Sequence, residues 1–441
     1  MTAIDRRGFF RQSAAGAVAG LTVLAPAAGK APAGERVNVA CMGVRGRGRS
    51  LTLGFATMNT VTVTHLCDVD STVLPSLAKE VAERQGGRAP KLVKDFRELL
   101  EDRTLDALVI GTPDHWHAIP TVLACQAGKH VYVEKPASHN IREGQVMLKA
   151  ARKYNRIVQV GCQSRSGKHF AEAMAYIRSG ALGKVTFARA WESARQGPIG
   201  FPKDSDPPAG VDYDLWLGPA PLRPFNRARF HGSWRWFFDY GTGDLGNDGV
   251  HRIDYARRAL AAAFEAQGQK LPDWPTAVAA SGGKYVFDDA QEWPDTLLVT
   301  WDFPGATMVY EMRVWNGYPF EGESEGAAVY GTNGYVVIGN TRWRAFGARG
   351  EPLDQGTASP GGQHDAAHKQ NFIDCIKSGG LPNFDIAEGH ISSSFCHMGN
   401  TAWRVGRKLR FDAETQTYIG DEEANRFLTR EYRKPFVLPE V

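Results

Sequence analysis

The stretch "RVNVACMGVRGRGRS", Arg36 to Ser50, sets the reading of the whole chain. Val37, Val39 and Cys41 alternate like a short buried strand, glycines follow at 43, 46 and 48, and helix-compatible sequence begins at about Arg49. A glycine-rich turn between strand and helix lets backbone N–H groups approach a pyrophosphate at the helix N-terminus. The usual spacing is G-x-G-x-x-G. Gly43 and Gly48 fill its first and third places, but Arg45 stands at the second, with Gly46 beside it. The second glycine ordinarily leaves room for phosphate, so Arg45 must either swing aside or meet the phosphates with its guanidinium.

The neighbouring sequence strengthens this weak signal. "VTVTHLCDVD" reads as a second strand ending at Asp68, twenty residues after Gly48, where a carboxylate accepts ribose hydroxyls. An acid there repels a 2′-phosphate and so favours NAD over NADP; the plainer reading is a surface aspartate at a strand end. The alternation continues with a helix at Leu74–Gln85, a strand at Leu105–Gly111, a helix at Ile119–Ala127, a strand at Val131–Glu134 and a helix at Arg142–Tyr154. "LDALVIGTPDHWH" and "KHVYVEKPAS" end strands in polar residues, where doubly wound sheets bind ligands. This predicts an α/β, Rossmann-type domain.

At 441 residues the chain exceeds one ordinary core, which points to two domains. Hydrophobic content of 43% and charged content of 23% are those of a globular protein. The formal charge is +4, of which residues 1–33 carry +3, so the remainder is nearly neutral, with no basic block. Nucleic acid is therefore not an expected partner. The six cysteines show no C-x-x-C spacing, and no disulfide or zinc framework is expected.

The ordered pieces "MGVRGRG", "CDVD", "TPDHWH", "VEKPAS", "VGCQSRS", "GNDGVHRID" and "HKQNFIDCIKSG" resemble the Gfo/Idh/MocA family of glucose–fructose oxidoreductase and inositol dehydrogenase. The resemblance implies a Rossmann domain over 34–160 and a C-terminal α/β domain over 161–441, whose open, largely antiparallel sheet carries the substrate side and often an oligomer interface. It puts Lys135 beside the nicotinamide and His251 across the substrate, with Thr112, Pro113, His115, Glu134 and Gln163 along the cofactor. The family commonly has Asp four residues before the histidine. This chain has Asn247 there, followed by Asp248, and Asn cannot take a proton.

Oxidising a secondary alcohol removes a hydride from carbon and a proton from oxygen. Histidine, with an ordinary pKa of about 6.5, suits the proton step. A neighbouring lysine stabilises alkoxide charge. His251 is thus the expected general base and acid, and Lys135 its electrostatic partner, with the exchanged roles as the alternative. If "VHRIDYARRAL" is helical, Asp254 shares a face with His251 and either orients the imidazole or pairs with Arg257 or Arg258. Aromatic faces pack on the C–H faces of sugars. Trp191, Trp234, Trp236 and Tyr240, with Arg165, Arg195, Asn247, Asp248 and His251, are the candidate sugar contacts. His115 and His117 lack a third ligand, so no metal is expected.

Later, "TLLVTWDFPGATMVYEMRVW" alternates like antiparallel strands, Asn333-Gly334 signals a hairpin, "EPLDQGTASPGGQHD" reads as a loop, and helices follow around Ala366–Lys377 and His390–Val405. His364 and His368 either face the cleft or serve structure.

The first residues, "DRRGFFRQSAAGAVAGLTV", resemble a twin-arginine signal, too short and too weakly apolar to span a bilayer. A signal peptide is expected over 1–33, with a periplasmic or otherwise exported destination and no stable membrane association after processing. NAD is not expected to be recycled outside the cytoplasm, so the cofactor should be tightly held and the reaction self-contained. The leading expectation is an exported NAD-dependent oxidoreductase acting on a sugar or glycoside, assembled as a homo-oligomer. The alternatives are a redox-neutral NAD-dependent glycoside hydrolase and a non-catalytic sugar sensor.

Overall fold

The structure is a computed structural model that describes residues 36–356, 358 and 361–441. The expected signal peptide lies outside the described residues.

The chain begins with β1 (Val37–Met42), α1 (Gly46–Ala56), β2 (Val61–Cys67), α2 (Leu74–Arg84) and β3 (Lys91–Val93). It continues with α3 (Arg97–Glu101), β4 (Ala107–Ile110), α4 (Ala118–Gln126), β5 (His130–Val133), α5 (Ile141–Lys153) and β6 (Val158–Val160). The six strands pair in parallel in the order 3-2-1-4-5-6. This is the doubly wound arrangement whose crevice opens where the order reverses, between β1 and β4. Alternate strand residues face opposite ways. Val39, Cys41, Val63 and Val109 pack with Leu51 and Phe55 of α1, whereas Ala40, Met42, Leu108 and Ile110 pack toward α4 and α5. Cys41 and Cys67 are buried and free, as are the other four cysteines. The expected helix and strand positions hold to within a few residues, and the short β3, α3 and β6 are additions.

The second unit contains α6 (Lys168–Arg178), β7 (Val185–Ser193), α7 (Tyr213–Leu217), α8 (Val250–Ala266), β8 (Ala277–Gly283), β9 (Thr296–Phe303) and β10 (Ala306–Arg313). Then come β11 (Glu325–Gly331), β12 (Gly334–Ile338), β13 (Trp343–Gly347), β14 (Pro352–Gln355), α9 (Gly361–Ser378), α10 (Ile386–Val405), β15 (Leu409–Asp412), β16 (Thr417–Tyr418) and α11 (Glu422–Asn425). Ten strands form one sheet in the order 14-13-12-11-7-10-9-8-15-16, antiparallel except for the β7–β10 pair. The expected hairpin forms between β11 and β12, turning through Thr332-Asn333, one residue earlier than the Asn-Gly signal. "EPLDQ" is not all loop: its Pro352–Gln355 adds an exposed edge strand.

The late chain also returns to the first sheet. Phe372 and Ile373 of α9 pack with Phe55 and Tyr132, and Phe384, Ile386 and Phe436 join the opposite face. A boundary at residue 160 therefore does not separate two closed cores.

Burial holds several histidines neutral: His115 and His397 down to about 3, and His368 and His390 down to about 4. An unfolded chain protonates them near 6.5. As pH falls below that value the unfolded state takes up protons that the folded state refuses, so stability is lost with falling pH. Buried carboxylates raised by desolvation, Asp244 to about 6 together with Asp68, Asp114, Glu143 and Glu192, act in the opposite sense. His130, His139, His169, His231 and His251 are lowered as well, so the histidines outnumber them. The expected result is a lower melting temperature at pH 5 than at pH 7.5 by calorimetry; equal values would contradict it.

Candidate active site

The β1–α1 turn is built by glycine. Gly43 and Gly46 have φ of +74° and +44°, conformations that a side chain disfavours. A Cβ on Gly48 would lie 1.7 Å from the Gly43 carbonyl oxygen, so helix and turn touch backbone to backbone. Asp68, just past β2, steadies this turn, its carboxylate accepting the Val44 and Asp70 N–H groups at 2.8 and 2.9 Å. Burial raises its pKa. Arg45 has swung aside: its guanidinium pairs with Asp70 and leaves the glycine turn open.

At the other end of the crevice, Lys135 follows β5 and donates to the Asn247 carbonyl oxygen, and at 3.3 Å to Asn247 Oδ1. Its Nζ is 3.8 Å from Asp248 Oδ1. Asn247 and Asp248 lie in a π-helical turn, Leu245–Gly249, leading into α8. Such widened turns commonly mark functional sites because they re-aim side chains. His251 stands in the first turn of α8, buried, with Nδ1 3.2 Å from Cys162 Sγ. Burial and the Lys135 charge hold its pKa well below the ordinary value, so the ring is neutral. If Nδ1 keeps its hydrogen toward the sulfur, Nε2 has the lone pair available to the cavity. Cys162 was not anticipated as a contact; only its place in "VGCQSRS" hinted at it. Asp254 does not orient the imidazole. It pairs with Arg165 at 2.6 Å, lies 3.6 Å from Arg257 and accepts from Ser392 at 2.9 Å.

Beneath Asn247 three carboxylates converge, with oxygens of Glu192, Asp244 and Asp248 within 4.8 Å of one another. Asn247 Nδ2 donates to Asp244 and Asp248, and Tyr310 donates to Glu192 at 3.3 Å. Burial, then their mutual repulsion, raises Glu192 well above the carboxylate range. Two such buried acids side by side retain a proton rather than both ionising. Three carboxylates alone do not define a cation site.

A cavity of about 570 Å³ joins the two ends. It is lined by Gly43, Arg45, Gly46, Asp68, Thr112, Pro113, Glu134, Lys135, Gln163, Trp234, Asn247, Asp248 and His251, which unites most of the residues expected from sequence. Also present, and not foreseen, are Arg47, Phe96, Trp116, Trp216 and His231. Arg47 bridges Glu134 at 2.8 Å and Asp365 at 2.7 Å, tying α1 to the β5 end and α9.

Other expected contacts lie elsewhere. His115 is in the core, its Nε2 2.9 Å from the Trp216 carbonyl oxygen and its ring against Tyr240. Gly48 is a packing glycine behind the turn. Arg165 is held by Asp254 and Glu388. Trp191 points to the opposite face of the sheet, donating to the Glu323 carbonyl at 2.9 Å. Trp236 and Tyr240 are core residues, and Arg195 is exposed beside Trp315. Trp191, Trp236 and Tyr240 are drawn into cores by their apolar area, and buried Arg165 is drawn to carboxylates. His368 is structural, bonded to Val160 and Ser166.

The cavity fits a dinucleotide on its own evidence. The glycine turn offers unblocked N–H groups at a helix start, an acid follows β2, and buried Thr112 Oγ1 and Gln163 Oε1 face no partner among the described residues. Gly43, Gly46 and Asp68 would hold the pyrophosphate and ribose side, and Thr112, Glu134 and Gln163 the nicotinamide side.

Fold and crevice define a two-domain protein with a Rossmann, dinucleotide-binding unit. Residues 37–162 match the profile described as "Oxidoreductase family, NAD-binding Rossmann fold", and residues 176–264 and 360–438 match "Oxidoreductase family, C-terminal alpha/beta domain". Together these span well over half of the chain, which belongs to the Gfo/Idh/MocA family. It is 28% identical over 216 residues to levoglucosan dehydrogenase of Pseudarthrobacter phenanthrenivorans, covering 47% of this chain and 46% of that protein. It is 24% identical to scyllo-inositol 2-dehydrogenase (NAD(+)) of Bacillus subtilis, covering 79% and 89%. A glycosyl hydrolase family 109 protein of a Shewanella species is 32% identical over 165 residues, covering 32% and 36%. The match thus spans less than half the length of the first and third relatives. The crystal structure of aldose-aldose oxidoreductase from Caulobacter crescentus shares the fold, with a TM-score of 0.64 at 21% identity, covering 85% of this chain and all of that one.

Proposed function

We propose that this chain is an exported oxidoreductase that acts on a secondary hydroxyl of a sugar or glycoside and keeps its NAD through the reaction cycle. The observation that carries this reading is the meeting of Lys135 and His251, from different domains, in one cavity that continues to the glycine turn. Bound NAD supplies the hydride acceptor. His251, neutral because buried beside an ammonium, takes the hydroxyl proton through Nε2. Lys135, held by Asn247, donates to the same oxygen and stabilises its developing charge. Asn247 itself orients and does not accept the proton. Trp234 and the adjacent Arg235 offer a sugar an apolar face and a donor.

Export rests on the twin-arginine pattern of the first residues. For assembly, the exposed face of the second sheet carries ring contacts between Phe187, Tyr330, Tyr335 and Phe346, a surface suited to a second copy. Light scattering should therefore report a dimer or tetramer.

A second reading, a redox-neutral glycosidase that oxidises a sugar carbon, eliminates the leaving group, adds water and reduces back, is favoured by the likeness to the glycosyl hydrolase family 109 protein. One experiment separates the readings: purified protein is mixed with a panel of sugars and chromogenic glycosides while reduced-nicotinamide absorbance and aglycone release are followed. Net change in absorbance supports the oxidoreductase. Aglycone release without net reduction supports the glycosidase. Sugar binding with neither change leaves a sensor and overturns both.

A further inference from the structure

Residues 210–236 are rooted in the core of the second unit through Trp216, Leu217, Phe225, Phe230 and Trp236, and reach from there to line the crevice with Leu215, His231 and Trp234. At one end they are stitched to the loop after β2: Asp70 and Val211 form a backbone bridge, Ser71 N–H donates to the Gly210 carbonyl at 3.0 Å, and Asp212 N–H donates to Val69 at 2.8 Å. Gly210, at φ +88°, fits this crossing because a Cβ would lie 2.9 Å from both Ser71 Oγ and Thr72 Cγ2. In the middle, Leu215 and Trp216 face the cavity while the Trp116 indole donates to the Leu215 carbonyl at 2.9 Å. At the far end His231 has φ +47°, left-handed for a residue other than glycine, and its Nε2 lies 3.6 Å from Asp70 Oδ2.

Asp70 is the point where these threads meet. It is buried, its Oδ1 accepts from Thr72 N and Oγ1 at 3.0 and 2.5 Å, and its Oδ2 pairs with Arg45 of the glycine turn. One carboxylate therefore contacts the floor of the cofactor groove and the segment that roofs it.

We propose that residues 210–236 are a strap that retains the dinucleotide, and that Asp70, braced by Arg45 of the glycine turn, latches it through His231 and the backbone bridge to Val211. The inference rests on the reading of this groove as an NAD site and adds the residues that govern how slowly the cofactor leaves. A latch differs from an ordinary ligand contact in its kinetics. Weakening it speeds both entry and exit, whereas losing a contact speeds exit alone.

The test is stopped-flow NADH fluorescence on the full chain after removal of bound nucleotide. Asp70→Asn, which keeps the shape and removes the charge, is expected to speed NADH dissociation about tenfold, the equivalent of one charge-assisted contact. Association should speed in parallel, with Kd changing by less than about threefold, and co-purifying nucleotide should fall. His231→Ala should act in the same direction by about threefold, and it decides the matter if Asp70→Asn fails to fold. Unchanged rates, or faster exit with unchanged entry, would overturn the strap while leaving the NAD site standing. Absence of NADH binding by the parent protein would overturn both.

Discussion

Lys135→Ala is expected to lower kcat about 1,000-fold, roughly 4 kcal/mol of lost transition-state stabilisation, while sugar KM changes less than about threefold. The ammonium is held by the Asn247 carbonyl and side chain, so it reaches the cavity already oriented. Its benefit grows as alkoxide charge develops, which places the loss in kcat rather than in binding. Lys135→Arg should not restore activity, because a planar guanidinium has a different reach and cannot reproduce a compact point charge. NADH titration should give an affinity close to that of the parent. Full activity in Lys135→Ala would remove the central residue from the proposal.

Gly48→Ala should be the most damaging of the small substitutions in the glycine turn. The new Cβ meets the Gly43 carbonyl oxygen at 1.7 Å and its carbon at 2.8 Å, both backbone atoms that no rotamer change can move. Helix α1 must shift away from β1, at a cost near the upper end of overpacking, about 3 kcal/mol. The turn then loses its shape, so NAD binding should fall with the melting temperature. Gly46→Ala is the contrast. Its Cβ has open space but φ is +44°, so only about 1 kcal/mol of backbone strain is expected. Comparable melting temperatures for the two variants would refute the packing argument.

Much of the first domain was legible because its signals are local. Strand alternation, Gly43 through Gly48, and Asp68 at the end of β2 each lie within one turn or one strand. Lys135 and His251 were legible through the resemblance, and the structure brings them to one cavity. What escaped reading depends on distance or on which face is covered. Strand parity puts Trp191 opposite Ala190, but nothing local says which side receives α8. His115 sits in a polar-looking loop, yet its ring partners come from Trp216 and Tyr240. Cys162 meets His251 across 89 positions, a pairing without a local pattern.

The return of α9 and the chain end to the first sheet has a consequence for biosynthesis. Phe372, Ile373, Phe384, Ile386 and Phe436 cover surfaces made by residues translated hundreds of codons earlier. Domains ordinarily fold in turn as they emerge from the ribosome. Here the nucleotide-binding half stays incompletely covered until residues 372–436 have been polymerised. Fragments ending near residue 160 should therefore expose apolar surface and aggregate, and NAD should first be captured once residues 372–436 have been added.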